Sequence, residues 1–86
     1  MTEQGHAGVE ELQRVLDEVF HDHDRVTRRE VYGRASEHLG VPAAILAHLN
    51  ELPMGPYTRP ELTEAINDVI RGRGEQEALG LLTMPR

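Results

Sequence analysis

Apolar residues return every three or four positions in four stretches of this chain, and nowhere do they alternate as a half-buried strand requires. A stripe of that period covers one face of a helix and has to be buried against other stripes. The first stretch, about Val9 to Phe20, carries Val9, Leu12, Leu16, Val19 and Phe20. Glu10 and Glu11 stand in its first turn, where the helix dipole favours anions. The second opens on Thr27-Arg28-Arg29-Glu30, a capping box in which hydroxyl and carboxylate each take a first-turn N–H. Val26 and Val31 flank that box as a hydrophobic staple. The inner face is expected to continue through Ala35, His38 and Leu39 to a left-handed Gly40, with Gly33 marking a close helix crossing. The third stretch starts at Pro42, buries Ile45, Leu46, Leu49 and Leu52, and stops at Pro53. The fourth runs roughly from Pro60 to Arg71, with Leu62, Ala65, Ile66, Val69 and Ile70 inward and Gly72 and Gly74 at its end.

The expected fold is therefore all-α: one compact bundle of four short helices with a helix-turn-helix-like corner, in a single domain over residues 1–86. Residues 1–7 are expected to be a flexible N-terminus and residues 75–86 an apolar tail. Leu79, Leu81, Leu82 and Met84 make that tail too apolar to leave in water, so they are the candidate interaction residues. Two dockings are open, onto the chain's own helices or into a second copy as a homodimer. A passive, disordered end is the bland alternative.

Composition removes several functions. Without cysteine there is no disulfide, thiolate nucleophile or cysteine metal site. The nine basic residues are all arginine, which excludes Schiff-base and phosphate-loop lysines. No run of apolar residues is long enough to cross a membrane. The start Met1-Thr2-Glu3-Gln4-Gly5-His6 has neither the basic nor the apolar block of a signal peptide, so the expected compartment is the cytoplasm.

Three places invite a chemical reading. His21-Asp22-His23-Asp24 gathers four metal-ligating side chains, but residues two apart on a helix point to different sides. A polar helix terminus is the plainer reading, and no metal or other cofactor is expected. A calcium loop counted from Asp22 puts Gly33 where a bidentate glutamate belongs. Ser36 is the only serine, and it lies in a helix rather than on a sharp turn, so no nucleophile is expected. Nor does it stand in the Asp-Ser motif of acyl carrier proteins, since Ala35 precedes it. The third place is the stretch from Ser36 to Leu49, whose Gly40-Val41 corner and Ile45 look like a helix-turn-helix. Ala43, Ala44, Ala47 and His48 would then face the DNA, and methyl groups cannot read base edges. The arginines Arg25, Arg28, Arg29 and Arg34 cluster instead around the second helix, beside Asp22, Asp24 and Glu30, in a chain of formal charge −6.

From about Arg25 to Gly72 the order of features resembles the bacterial DUF2795 family, whose function is unknown. The residues that carry the resemblance are Val31-Tyr32-Gly33-Arg34-Ala35, then Leu49-Asn50-Glu51-Leu52-Pro53, then Tyr57-Thr58-Arg59-Pro60, then Leu62 through Ile70. Where the family often has a serine cap before the proline, this chain has Arg59, and Thr58 with Glu61 can take over the cap. The resemblance implies a helical fold and a bacterial source, and no activity. The reading the sequence supports is a non-enzymatic helical domain acting through protein contacts. Its rival is a helix-turn-helix DNA-binding regulator using the second and third helices.

Overall fold

A computed structural model describes residues 7–83. Five helices follow in order: α1 Ala7–Val19, α2 Arg28–Ser36, α3 Ala43–Asn50, α4 Arg59–Gly72 and α5 Gln76–Leu79. No strand occurs among the described residues, and the fold is all-α. The fifth helix is short and lies within what sequence periodicity treats as a tail. Met84 and residues 1–6 lie outside the described residues.

Both caps form as local chemistry dictates. Thr27 Oγ1 accepts from the Glu30 N–H at 3.3 Å while the Thr27 N–H donates to Glu30 Oε1 at 2.8 Å. Thr58 and Glu61 repeat this arrangement at the start of α4, at 3.3 and 2.9 Å. Each cap satisfies first-turn donors that no helix bond reaches. The Thr58 backbone and hydroxyl hold the Glu61 carboxyl below its ordinary pKa, because hydrogen bonds stabilise the charged form.

One apolar core joins every element. It contains Val9, Leu12, Val15, Leu16 and Val19 from α1, and Val31 and Ala35 from α2. Ile45 and Leu49 come from α3, and Leu62, Ile66 and Ile70 from α4. The linkers add Val26, Val41 and Leu52, and Leu82 enters from the C-terminal segment. Tyr57 covers the joint before α4: its ring packs on this core and its hydroxyl donates to the Pro53 carbonyl at 2.8 Å. Val26 and Tyr57 exchange both backbone hydrogen bonds, at 2.9 and 2.8 Å. Arg28 adds its own N–H to the Met54 carbonyl and its guanidinium to the carbonyls of Asn50 and Leu52. The Asn50 carbonyl ends α3 and has no intrahelical partner, and Leu52 follows just past the cap, so the guanidinium caps the third helix from the second.

The second helix departs from expectation. It ends at Ser36, well before Gly40, and Gly40 is not among the left-handed residues, which are Gly55, Gly74 and Gly80. With the helix over, Leu39 has turned outward and is fully exposed at 102% rather than lining the inner face. A Cβ at Gly33 would meet nothing within 4 Å, so no helix crosses closely there. On α3 the exposed row is Ala43, Ala44 and Ala47, but His48 is buried. On α4 the buried face is rotated: Thr63 and Asn67 are inside, while Ala65 and Val69 are only half-buried.

Candidate functional site

The rotated face of α4 explains what the C-terminal segment does. α5 packs on both α1 and α4, and the non-helical chain beyond it bonds to both, through Leu82 to α4 and through Thr83 to α1, with the alternation of an extended run. Successive residues of an extended chain point their N–H and C=O groups to opposite sides. Leu82 turns its pair toward α4 and Thr83 turns its pair toward α1. Asn67 on α4 takes both groups of Leu82: its Nδ2 donates to the Leu82 carbonyl at 3.1 Å, and its Oδ1 accepts from the Leu82 N–H at 2.8 Å. Gln13 on α1 treats Thr83 the same way, accepting from its N–H at 2.9 Å and donating to its carbonyl at 3.5 Å. A carboxamide carries the same donor and acceptor as a peptide group. The two side chains therefore act as fragments of strands on either side of the segment, and they read main chain rather than sequence.

Sequence preference comes from the side chains of the segment. Leu82 is 3% exposed and belongs to the core, and Leu79 packs against the core from α5. Leu81 points the other way and is 39% exposed. Beside it, an open trough of about 570 Å³ separates the segment from α1, lined by Val9, Glu10, Gln13, Arg14, Gly80, Leu81 and Thr83. Of the four expected interaction residues, then, Leu82 is buried against its own chain, Leu79 is half-buried, Leu81 borders the trough and Met84 is outside the described residues. The segment docks on its own bundle. Gln13, Asn67 and Thr63 were not singled out by the sequence. The available signal was two polar residues four apart, Thr63 and Asn67, beside Ile66 and Ile70 on an otherwise apolar helix face.

Two bends hold the segment in place. Gly74, at φ 70°, breaks the chain between α4 and α5, and Gly80, at φ 82° and ψ 179°, turns it from α5 into the extended run. The second conformation is essentially confined to glycine. Next to Gly74, Glu75 reaches α3, where its carboxylate lies 2.7 Å from Nε2 of the buried His48. Arg73 pairs with Glu51 at the end of α3.

The other candidate residues are not gathered into a site. His21, Asp22, His23 and Asp24 are all exposed in the bend after α1, and their nearest pairing is His21 Nε2 to Asp22 Oδ1 at 3.8 Å. Among the described residues no group of three or more histidine, aspartate or glutamate side chains is placed to hold a metal. Ser36 Oγ donates to the Gly33 carbonyl at 2.9 Å, a helix-end contact. His38 sits between two carboxylates of α1, with Nδ1 2.6 Å from Glu11 and Nε2 3.1 Å from Glu18. The Glu11 hydrogen bond, then that of Glu18, raises the His38 pKa above its usual 6.5, and His38 in turn lowers that of Glu11. The arrangement ties the α2–α3 corner to α1. Of the second-helix arginines, Arg28 is used in capping α3, and Arg34 lies 3.5 Å from Glu18 and 3.9 Å from Glu37. Arg25 and Arg29 are exposed.

The class these observations define is a small helical bundle whose C-terminal segment fills a groove between its first and fourth helices. No family model matches the chain, and neither the curated proteins nor the solved structures compared with it return a match.

Proposed function

We infer that this chain is a non-enzymatic helical domain that works through protein contacts, and that the groove between α1 and α4 is its contact site. The observation that carries the reading is the seating of an apolar, extended segment by Asn67 and Gln13 through main-chain hydrogen bonds. Contacts of that kind suit any extended chain that brings a branched aliphatic residue to the Leu82 position. The reading is supported further by what the histidines do. His38 and His48 are engaged with glutamates, and neither is hydrogen-bonded to Ser36.

The tethering of Arg28 and Arg34, and the methyl groups of Ala43, Ala44 and Ala47, give no observation in favour of a DNA-binding surface. A cytoplasmic setting belongs to the same reading, since a cysteine-free chain makes no use of an oxidising compartment. No helix among the described residues is long and apolar enough to cross a membrane. We also propose kinship with the bacterial DUF2795 domains, on the Leu49 to Pro53 and Tyr57 to Pro60 features alone.

The test compares proteins retained from a host extract by the intact chain, by Gln13→Arg, which places a bulky cation in the trough, and by Arg29→Ala at an exposed position of α2. The reading expects at least one stoichiometric partner that Gln13→Arg loses and Arg29→Ala keeps. Identical sets for all three would sink it.

A further inference from the structure

The break at Gly74 separates two helices that are otherwise almost in sequence. α4 ends at Gly72 and α5 begins at Gln76, so only Arg73, Gly74 and Glu75 stand between them. Arg73 already has helical backbone angles, φ −92° and ψ −2°. The turn back onto the bundle comes from Gly74, whose φ of 70° reverses the chain. If Gly74 took helical angles, α4 would continue straight into α5. The straight helix would carry Leu79, Leu82 and Thr83 away from their own groove. That groove would be left with Asn67 and Gln13 unpaired and the Leu82 pocket empty.

We propose that Gly74 is a hinge, and that its straightening exchanges residues 75–83 between two copies of this chain, each segment filling the other copy's groove. The inference rests on the groove reading above. The occupant is a second copy because the seated segment is itself the fitting ligand. Every contact it makes, from Glu75 on His48 to Asn67 on Leu82, can be remade identically across a two-fold axis. Between closed monomer and exchanged dimer only the joint changes: Gly74, Glu75 beside it at φ −105° and ψ 8°, the Glu75 N–H bond to the Ile70 carbonyl, and the Arg73–Glu51 pair. Gly74 takes its left-handed angle at no steric cost, so nothing in the native joint drives the chain out of the closed form.

This balance can be tipped with one methyl group. A Cβ at Gly74 would meet nothing within 4 Å, so alanine changes the backbone preference without a clash. Alanine disfavours a left-handed conformation relative to a helical one by roughly tenfold, whereas glycine takes both about equally. Each exchanged dimer contains two hinges, so Gly74→Ala is expected to strengthen dimerisation by on the order of 10²-fold. Gly72 is helical in both forms, and Gly72→Ala is expected to leave the dimerisation constant where it was.

The experiment is sedimentation equilibrium on the full chain and these variants from low to high micromolar concentration, with circular dichroism to check folding. Dimers in Gly74→Ala that vanish in Gly74→Ala/Leu82→Asp, while helix content persists, are the expected result. Because Leu82→Asp can unfold the chain, a second readout exploits the absence of cysteine. Gln13→Cys with Thr83→Cys in the Gly74→Ala chain, bridged by a short bis-maleimide, is expected to give covalent dimers. Monomeric Gly74→Ala at every concentration, or bridging only within one chain, overturns the exchange. So does a dimer that survives with folded Leu82→Asp, since its interface lies elsewhere. If the exchange fails while Gln13→Arg still loses a host partner, the contact reading stands without it. If the dimer forms and no partner depends on the groove, the groove serves self-association alone.

Discussion

Removing the Asn67 carboxamide is the most direct test of how the C-terminal segment is held. The gains of docking are burial of Leu82, about 2 kcal/mol, and partial burial of Leu79, about 1 kcal/mol. The two Asn67 hydrogen bonds add about 2 kcal/mol and those of Gln13 about 1 kcal/mol, the longer one counting for little. Against this, ordering the chain from Gly80 to Thr83 costs about 5 kcal/mol. Docking is thus favourable by only about 1 kcal/mol. Asn67→Ala removes about 2 kcal/mol of docking energy, more than that margin, while the roughly 0.6 kcal/mol that alanine returns as the better helix former goes to α4 whether or not the segment is docked. The segment then leaves its groove instead of staying with buried, unpaired groups. The loss in stability is capped near the docking free energy plus the cost of wetting the vacated pocket, about 1 to 2 kcal/mol in all. Urea melts of both proteins measure it, and chymotrypsin, which cuts after leucine, reports the release as rapid cleavage at Leu81 or Leu82 with the bundle intact. An unchanged midpoint and unchanged cleavage would refute the clamp. A loss well above about 3 kcal/mol would mean that Asn67 supports the bundle itself.

Other consequences are more local. Thr27→Ala should lower stability by about 1 kcal/mol in urea melts, since it strips the acceptor from the Glu30 N–H and leaves only the backbone N–H of residue 27 on the Glu30 carboxylate. His38→Gln should cost most at mildly acidic pH. The raised His38 pKa gives stability that is fully present below 6.5 and is lost as pH rises through the higher folded value, so the melting temperatures of the two proteins should converge as pH rises beyond it. A gap that widens as pH rises would contradict the Glu11–His38–Glu18 tie. DNA titrations at physiological salt should show at most weak, sequence-independent binding, because the chain carries a formal charge of −6 and tethers two of its second-helix arginines. Sub-micromolar, sequence-dependent affinity would bring back the helix-turn-helix reading.

The parts of the fold that were legible in the sequence are those governed by neighbours three or four residues away. Thr27 with Glu30 and Thr58 with Glu61 are read directly, because a cap needs no partner outside its own turn. The stripes on α1 and α3 follow from the helical repeat for the same reason. Leu39 was misread because its position depends on where α2 stops, and α2 stops early, with the Glu37 N–H folding back on Arg34 and Ala35. His48 and Asn67 were opaque for another reason. A polar side chain is buried only where a distant partner meets it, and those partners, Glu75 and Leu82, lie many residues downstream. The groove was invisible because it is defined by two helices at opposite ends of the chain order and by the segment that separates them.

The Val26–Tyr57 pairing reaches beyond the joint it closes. With Arg28 reaching the Met54, Asn50 and Leu52 carbonyls, it laces the entry of α2 to the exit of α3 across a part of the chain that has no regular structure of its own. Unpaired loop amides normally exchange with solvent deuterium within local fluctuations. Here the amides of Val26 and Tyr57 donate inward, and Val26 is 1% exposed. Their exchange therefore requires separating α2 and α3 from α4, which is close to unfolding the whole domain. The slowest protons in the molecule are expected to include these two linker positions. The amides of Leu82 and Thr83, equally well hydrogen-bonded, are expected to exchange early through release of the segment alone. In kinetic terms the α2–α3 hairpin and its lacing form one cooperative unit, and the C-terminal segment forms a separate, much shallower one.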